Sequence, residues 1–286
     1  MPDVSPNVSP KVRFEEMFPW ELAEALARAP LCYLPLGVLE WHGEHNAVGL
    51  DAIKAQAICE CAAALSGGVV VPALYWGTDY REDLPGGDYL TGGIEKGERY
   101  HVPGSMFWIR PDTFRDLLLD IYEAMRCRGF RAIVVVAGHW STRAYLPTLE
   151  ETGRLFLARH PAMRWALLTD QRMAGDLFYP WEHAAGGETS LLLAIRPDLV
   201  DLAKTLETDR ELRPAYARIW PEHLARRRAT ENKYIGVLRG VDDESNDPEL
   251  SASVERGQQL LDTISRRIAE HATALLADVD ADLAQR

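Results

Sequence analysis

The sequence predicts an α/β fold with a mostly parallel central sheet. Three observations carry the prediction. Uninterrupted apolar runs at 31–39, 69–74 and 132–137 are bounded by turn residues, as expected of strands covered on both faces. Segments of helical periodicity separate those runs. The first two runs are joined through one helix with short connections, so they form a right-handed βαβ unit with parallel pairing. The chain has 286 residues, 47% hydrophobic and 26% charged, and no Gly/Ser/Pro linker divides it. It therefore reads as a single domain, 1–286.

In chain order, the segment 14–29 places Met17, Trp20, Leu22, Ala25 and Leu26 at helical spacing, with Pro19 near the helix start and Pro30 beyond its end. The first strand is 31–39. An Ala/Ile-rich helix, 51–65, follows and is stopped by Gly67-Gly68. The second strand is 69–74. A long glycine- and tyrosine-rich loop then runs to about 104, an extended insertion (77–104) suited to a lid or a subunit contact. A short extended piece, 105–109, precedes Pro111-Asp112. These open an amphipathic helix through Phe114, Leu118, Tyr122 and Met125 that Gly129 closes. The third strand, 132–137, leads to a helix at 143–159, and the fourth strand is 164–169. An irregular stretch, 171–187, leads into a helix at 191–195. The region 198–240 has no assignable pattern. The acidic loop 240–248 has four carboxylates without calcium-ligand spacing, and 250–283 is a C-terminal helical region.

Net charge is −12 and the pI is near 5.2, which disfavours nucleic acid and anionic membranes as partners. Cys32, Cys59, Cys61 and Cys127 fit neither a zinc ribbon nor a disulfide framework, so reduced thiols in a cytoplasmic protein are expected. No apolar run reaches the roughly 18 residues a membrane span needs.

Polar groups gather where the strands end. Directly after the first strand stand Glu40, His42, Gly43, His45, Gly49 and Asp51. Glu40 and His42, two apart, share a face if the chain is still extended there. Asp51 opens the next helix and can turn back to the same point. Carboxylate and imidazole together suit a divalent metal. After the third strand comes Gly138-His139, and the 171–190 region offers Glu182, His183 and Glu188. Trp41, Trp140 and Trp181 flank these groups, where an indole can stack on a small cyclic substrate or simply pack in the core. A nucleotide site would need a glycine-rich phosphate loop after the first strand, where Glu and His stand instead.

These motifs, in this order, resemble the creatininase family of metal-dependent amidohydrolases. The E-x-H-G-x-H pattern followed by Gly-x-Asp is Glu40-Trp41-His42-Gly43-Glu44-His45 with Gly49-Leu50-Asp51. Asn-Gly-His is similar to Ala137-Gly138-His139, His-Ala with Glu-Thr-Ser to His183-Ala184 with Glu188-Thr189-Ser190, and Pro-Gly-Thr to Pro103-Gly104-Ser105. The resemblance covers about 30–200. It implies a three-layer α/β/α fold and two divalent ions, zinc first, with manganese or iron as alternatives. It implies Glu40, His42, Asp51, His139 and Glu188 as ligands, Asp51 bridging. A metal-bridging hydroxide would attack a carbonyl of a small, cyclic substrate, with His183 and Glu182 handling the proton. Substrate contacts would fall to Trp140, Trp181, Ser141 and His45. Homo-oligomers, hexamers by resemblance, are expected. Ala137 and Trp140-Ser141-Thr142 depart from the family pattern, one branch of which has Glu at the position of Ser141. Hydrolysis of a C–C bond beside a ketone in a cyclic polyol and an inactive metal-stabilised binding protein are the alternative readings.

Overall fold

A computed structural model of the chain describes residues 11–92, 107–178, 183–204 and 251–284. Its core is a four-stranded, all-parallel sheet in the order β2-β1-β5-β6, formed by β1 (Leu31–Leu36), β2 (Val69–Val70), β5 (Ala132–Ala137) and β6 (Arg164–Thr169). Strand alternation sorts the core into two faces. Leu31, Tyr33, Ala132, Val134 and Val136 pack under α2 (Leu50–Ser66), α6 (Gly186–Ile195) and the 31-residue α7 (Val254–Ala284). Cys32, Leu34, Leu36, Ile133, Val135 and Ala137 pack under α1 (Pro19–Arg28), α3 (Pro111–Cys127) and α4 (Tyr145–Arg159). The expected three-layer α/β/α arrangement is thus the one observed.

Local chemistry explains the boundaries. Pro19 begins α1, and Glu21 at its third position accepts the Phe18 N–H at 2.8 Å. Pro35 lies within β1, yet its carbonyl accepts from Leu74 N on the side where β2 has ended. Its missing N–H therefore faces no ladder partner. The second strand is shorter than its apolar run suggests. Pro72 lacks a donor, and beyond Val70 only a single bridge, Leu36 to Leu74, remains. The glycine-rich insertion, expected to be irregular, contains an antiparallel hairpin of β3 (Arg81–Asp83) and β4 (Tyr89–Thr91). Its turn uses Gly86 and Gly87 at φ 89 and 86. Pro103-Gly104-Ser105, the 205–250 region and the acidic loop lie outside the described residues. The short helix α5 (Asp170–Ala174) follows β6 directly. Among the described residues no helix is long and apolar enough to cross a membrane.

Register decides what the sheet presents. Leu36 pairs with Ala137, and Ala137 with Thr169, so three strands end flush. The residues that follow leave the sheet at one rim, the place where parallel α/β sheets carry their chemistry.

Candidate metal centre

Two glycines let the start of α2 sit on that rim. A Cβ at Gly138 would overlap the Asp51 carbonyl oxygen, and one at Gly37 would overlap Ala52 N. With hydrogen in both places, Asp51 is brought against the ends of β1 and β5. The chain from Glu40 to His42 lies outside any strand. It enters a turn in which Gly43 takes φ 75. The two side chains meet in one pocket, together in one candidate group with His183 and separately in two donor sets that share Asp51.

In the first set, His139 Nδ1 lies 3.0 Å from Glu40 Oε2 and 3.4 Å from Asp51 Oδ2. In the second, His42 Nε2 lies 3.2 Å from Asp51 Oδ1 and 4.0 Å from Glu188 Oε2. Within each set the donor atoms all lie within 4.8 Å of one another. Donors about 2.0–2.2 Å from a common ion stand about 3–4 Å apart, so these spacings fit a cation. Asp51 belongs to both sets, one oxygen to each. Glu40 Oε2 and Asp51 Oδ2 are buried with His139 Nδ1 beside both, a set of lone pairs that a cation would satisfy. His42 gives its Nδ1–H to the Glu40 carbonyl at 3.1 Å, leaving Nε2 for the cluster.

Glu188 sits in the first turn of α6, where its Oε2 accepts the Ala184 N–H at 2.7 Å. Ala184 is held at φ 53, a left-handed conformation costly for a residue with a Cβ. Its carbonyl is 2.9 Å from His45 Nε2, and Thr189 Oγ1 lies 3.2 Å from the same nitrogen. His45 thus ties the first loop to the turn that presents Glu188. His183, the residue before that turn, stacks on His42 with ring centroids 4.6 Å apart and has Nε2 3.2 Å from the Trp41 carbonyl. Ser141 turns its hydroxyl to Asp79, and Trp140 lies with its ring centroid 5.9 Å from Lys54 Nζ. Trp181 and Glu182 lie outside the described residues.

Three buried charges escaped the sequence reading. Lys54 is fully buried, 3.0 Å from Asp170 Oδ2 and 3.5 Å from Asp51 Oδ1, with Glu188 Oε1 closer still. Asp170 follows β6, and Asp79 lies between β2 and β3. Two signals were available. Lys54 is three residues after Asp51 on one helix, and Asp170 stands directly beyond the fourth strand, as His139 does beyond the third. Asp79 carried no such signal, because no strand leads into it. Glu40, Asp51, Asp79, Asp170 and Glu188 bring five carboxylates against one ammonium, an excess that two divalent cations would cancel.

Proton affinities follow from this crowding. Burial would lower the His42 imidazole, but Asp51, Glu188 and Glu40 outweigh it and push it up to about 9. His139, likewise buried, is raised well above its ordinary value by Glu40, Asp51 and Asp79. Burial opposes ionisation of Asp51, yet His42, Lys54 and His139 hold it well below the usual carboxylate range. Asp170 is pushed up to about 6 by burial, against the pull of Lys54. His183 is lowered, first by burial and then by His42.

A family model described as creatininase, creatinine amidohydrolase, matches residues 15–272. The creatinine amidohydrolase of Pseudomonas putida is 27% identical over 267 residues, spanning 88% of this chain and 92% of that protein. A crystal structure of creatinine amidohydrolase is 25% identical with a TM-score of 0.69, covering 94% of this chain and 99% of the other. A manganese form and a zinc–zinc form of creatininase, each 24% identical, superpose with TM-scores of 0.68 and 0.67 over 93% of this chain and 99% and 98% of theirs. The match favours neither C–C bond hydrolysis nor an inactive binding protein.

Proposed function

The chain belongs to the creatininase family and is a metal-dependent hydrolase of the amidohydrolase type, and from that premise we propose that it opens a small cyclic amide other than creatinine at its C–N bond. The observation that carries this reading is the pair of donor sets joined by Asp51. Glu40, Asp51 and His139 would hold one divalent ion and His42, Asp51 and Glu188 the other, zinc or manganese. Such a pair, when bound, supplies a water of lowered pKa and polarises the substrate carbonyl.

The chain's own groups do the rest. His183, kept neutral by burial and by His42, gives Nε2–H to the Trp41 carbonyl and has Nδ1 to take the proton from water and return it to the leaving nitrogen. Glu182, its sequence neighbour, is assigned with it to proton transfer. An indole such as that of Trp140 or Trp181 would stack on a flat ring. Ser141 and His45 would line the substrate side through their neighbours Trp140 and Ala184. Ala137 in place of the family's Asn, and Ser141 where one branch of the family has Glu, support a substrate distinct from creatinine. The acidic chain, with Cys32 and Cys59 buried and reduced, suits the cytoplasm, small-molecule substrates without nucleic-acid or membrane partners, and assembly into a homo-oligomer, hexameric as the resemblance implies.

The test is a turnover screen of cyclic amides, creatinine included, on protein whose zinc and manganese content has been measured. Two ions per chain and turnover of a non-creatinine cyclic amide are expected. Fast turnover of creatinine would overturn the substrate assignment, and inactivity of metal-replete protein on every cyclic amide would overturn the reaction class.

A further inference from the structure

His139 is gripped on both sides. Its Nδ1 faces Glu40 and Asp51, and its Nε2 lies 3.3 Å from Asp79 Oδ2. The ring edge is covered by Tyr145, centroid to centroid 5.0 Å at 76°. Asp79 is itself buried and fully engaged. Its Oδ1 accepts from Ser141 Oγ at 2.6 Å and from Tyr80 N at 2.6 Å. Its carbonyl accepts the Trp108 indole N–H at 3.0 Å, and the same stretch is pinned where Ile109 N donates to Gly77 O at 2.8 Å. Ser141 stands two residues after His139, so the loop that carries the imidazole also carries the hydroxyl that aims the carboxylate.

We propose that Asp79, held by Ser141, is the positioning residue of the first donor set: it accepts the Nε2–H of His139 and thereby leaves the Nδ1 lone pair aimed between Glu40 and Asp51. An imidazole has two nitrogens, and the bond made by one fixes which of them can ligate. A carboxylate at the far nitrogen also raises the ligand's basicity and stops the ring from rotating, and removing such a partner typically weakens metal binding by about 10- to 100-fold. The histidine of the second donor set has a different support, the Glu40 carbonyl on His42 Nδ1, so the two imidazoles are oriented by different partners. Asp79 comes from the loop between β2 and β3, and it supplies a carboxylate beside a position where Ser141 has none. The inference rests on the two-metal reading above.

The experiment resolves the sites by removing one at a time. A His42→Ala background leaves the Glu40/Asp51/His139 set intact, and a His139→Ala background leaves the sets built on His42. Cobalt(II) and zinc affinities are measured by chelator competition, with the cobalt absorption spectrum as the coordination readout. Asp79→Ala in the first background is expected to weaken binding about 10- to 100-fold and to alter the cobalt spectrum. In the second background it should change affinity by no more than about twofold. Asp79→Asn, which keeps an acceptor but loses the charge, should fall between. Ser141→Ala, at a half-buried position, should give a smaller loss at the same site and serves as the test if Asp79→Ala does not fold. Unchanged affinity in the first background would overturn the proposal, as would equal losses in both, which would mark Asp79 as a structural residue alone. An unsubstituted chain that takes up neither metal would overturn the two-metal reading and this inference with it. A chain that binds both ions and ignores Asp79 would overturn only the inference.

Discussion

Metal uptake by this chain must release protons, and the number is set by the histidines. His42, pushed up to about 9, is about 99% protonated at pH 7 without metal. His139 is raised well above its ordinary value and is charged as well. Glu40 and Asp51, both held below the usual carboxylate range by these imidazoles despite burial, carry no proton to lose. A ligating imidazole must be neutral. Filling both donor sets at pH 7 should therefore release about two protons per chain from the histidines, besides any from a bound water, and log affinity summed over both ions should rise with pH from 6.5 towards 9. Isothermal titration of metal-free protein with zinc, in buffers of different ionisation enthalpy, counts those protons. The same shift makes a statement about stability. A raised histidine stabilises the fold fully below its unfolded value near 6.5, and that contribution is lost as pH rises through about 9. For His42 the difference corresponds to roughly 3 kcal/mol, so urea unfolding of the metal-free chain should weaken from pH 6.5 to 9 while the zinc-loaded chain holds. Heats independent of buffer, or an affinity flat across that range, would refute the assignment of His42 and His139 as ligands competing with protons.

Gly138→Ala places a Cβ on the Asp51 carbonyl, forces the start of α2 away from β5 and should cost about 1–3 kcal/mol in denaturant unfolding together with a fall in metal content, because Asp51 serves both donor sets. Unchanged metal content would show that the close approach is not what positions Asp51. Lys54→Met leaves Asp170 and Glu188 buried without their cation and should destabilise the metal-free chain by about 3–5 kcal/mol, while adding Asp170→Asn should recover a large part of that loss. Additive losses in that double-mutant cycle would deny the pairing. His183→Gln should lower kcat by about 10²–10⁴ with two ions still bound, read by turnover alongside elemental analysis, and a normal kcat would remove His183 from the proton path.

Much of this architecture was legible before any coordinates. Short apolar runs rich in β-branched residues, such as 132–137, read as strands covered on both faces, and their alternation with helical segments leaves a parallel three-layer fold as the compact solution. The donors Glu40, His42, Asp51 and His139 were legible because each follows a strand or opens a helix, where polar residues have no packing reason to be. The hairpin of β3 and β4 was not legible, because each strand is three residues long, β3 is all charged and neither carries an apolar run. What the tertiary structure alone decided is who faces whom. That β1, β5 and β6 end flush is a matter of register, which depends on pairing between segments about 30 and about 100 residues apart. The same holds for Lys54, fully buried among Asp51, Asp170 and Glu188, and for Asp79 behind His139. A charge reveals its role in a sequence only when its partners are near it along the chain, and these partners are brought together by folding.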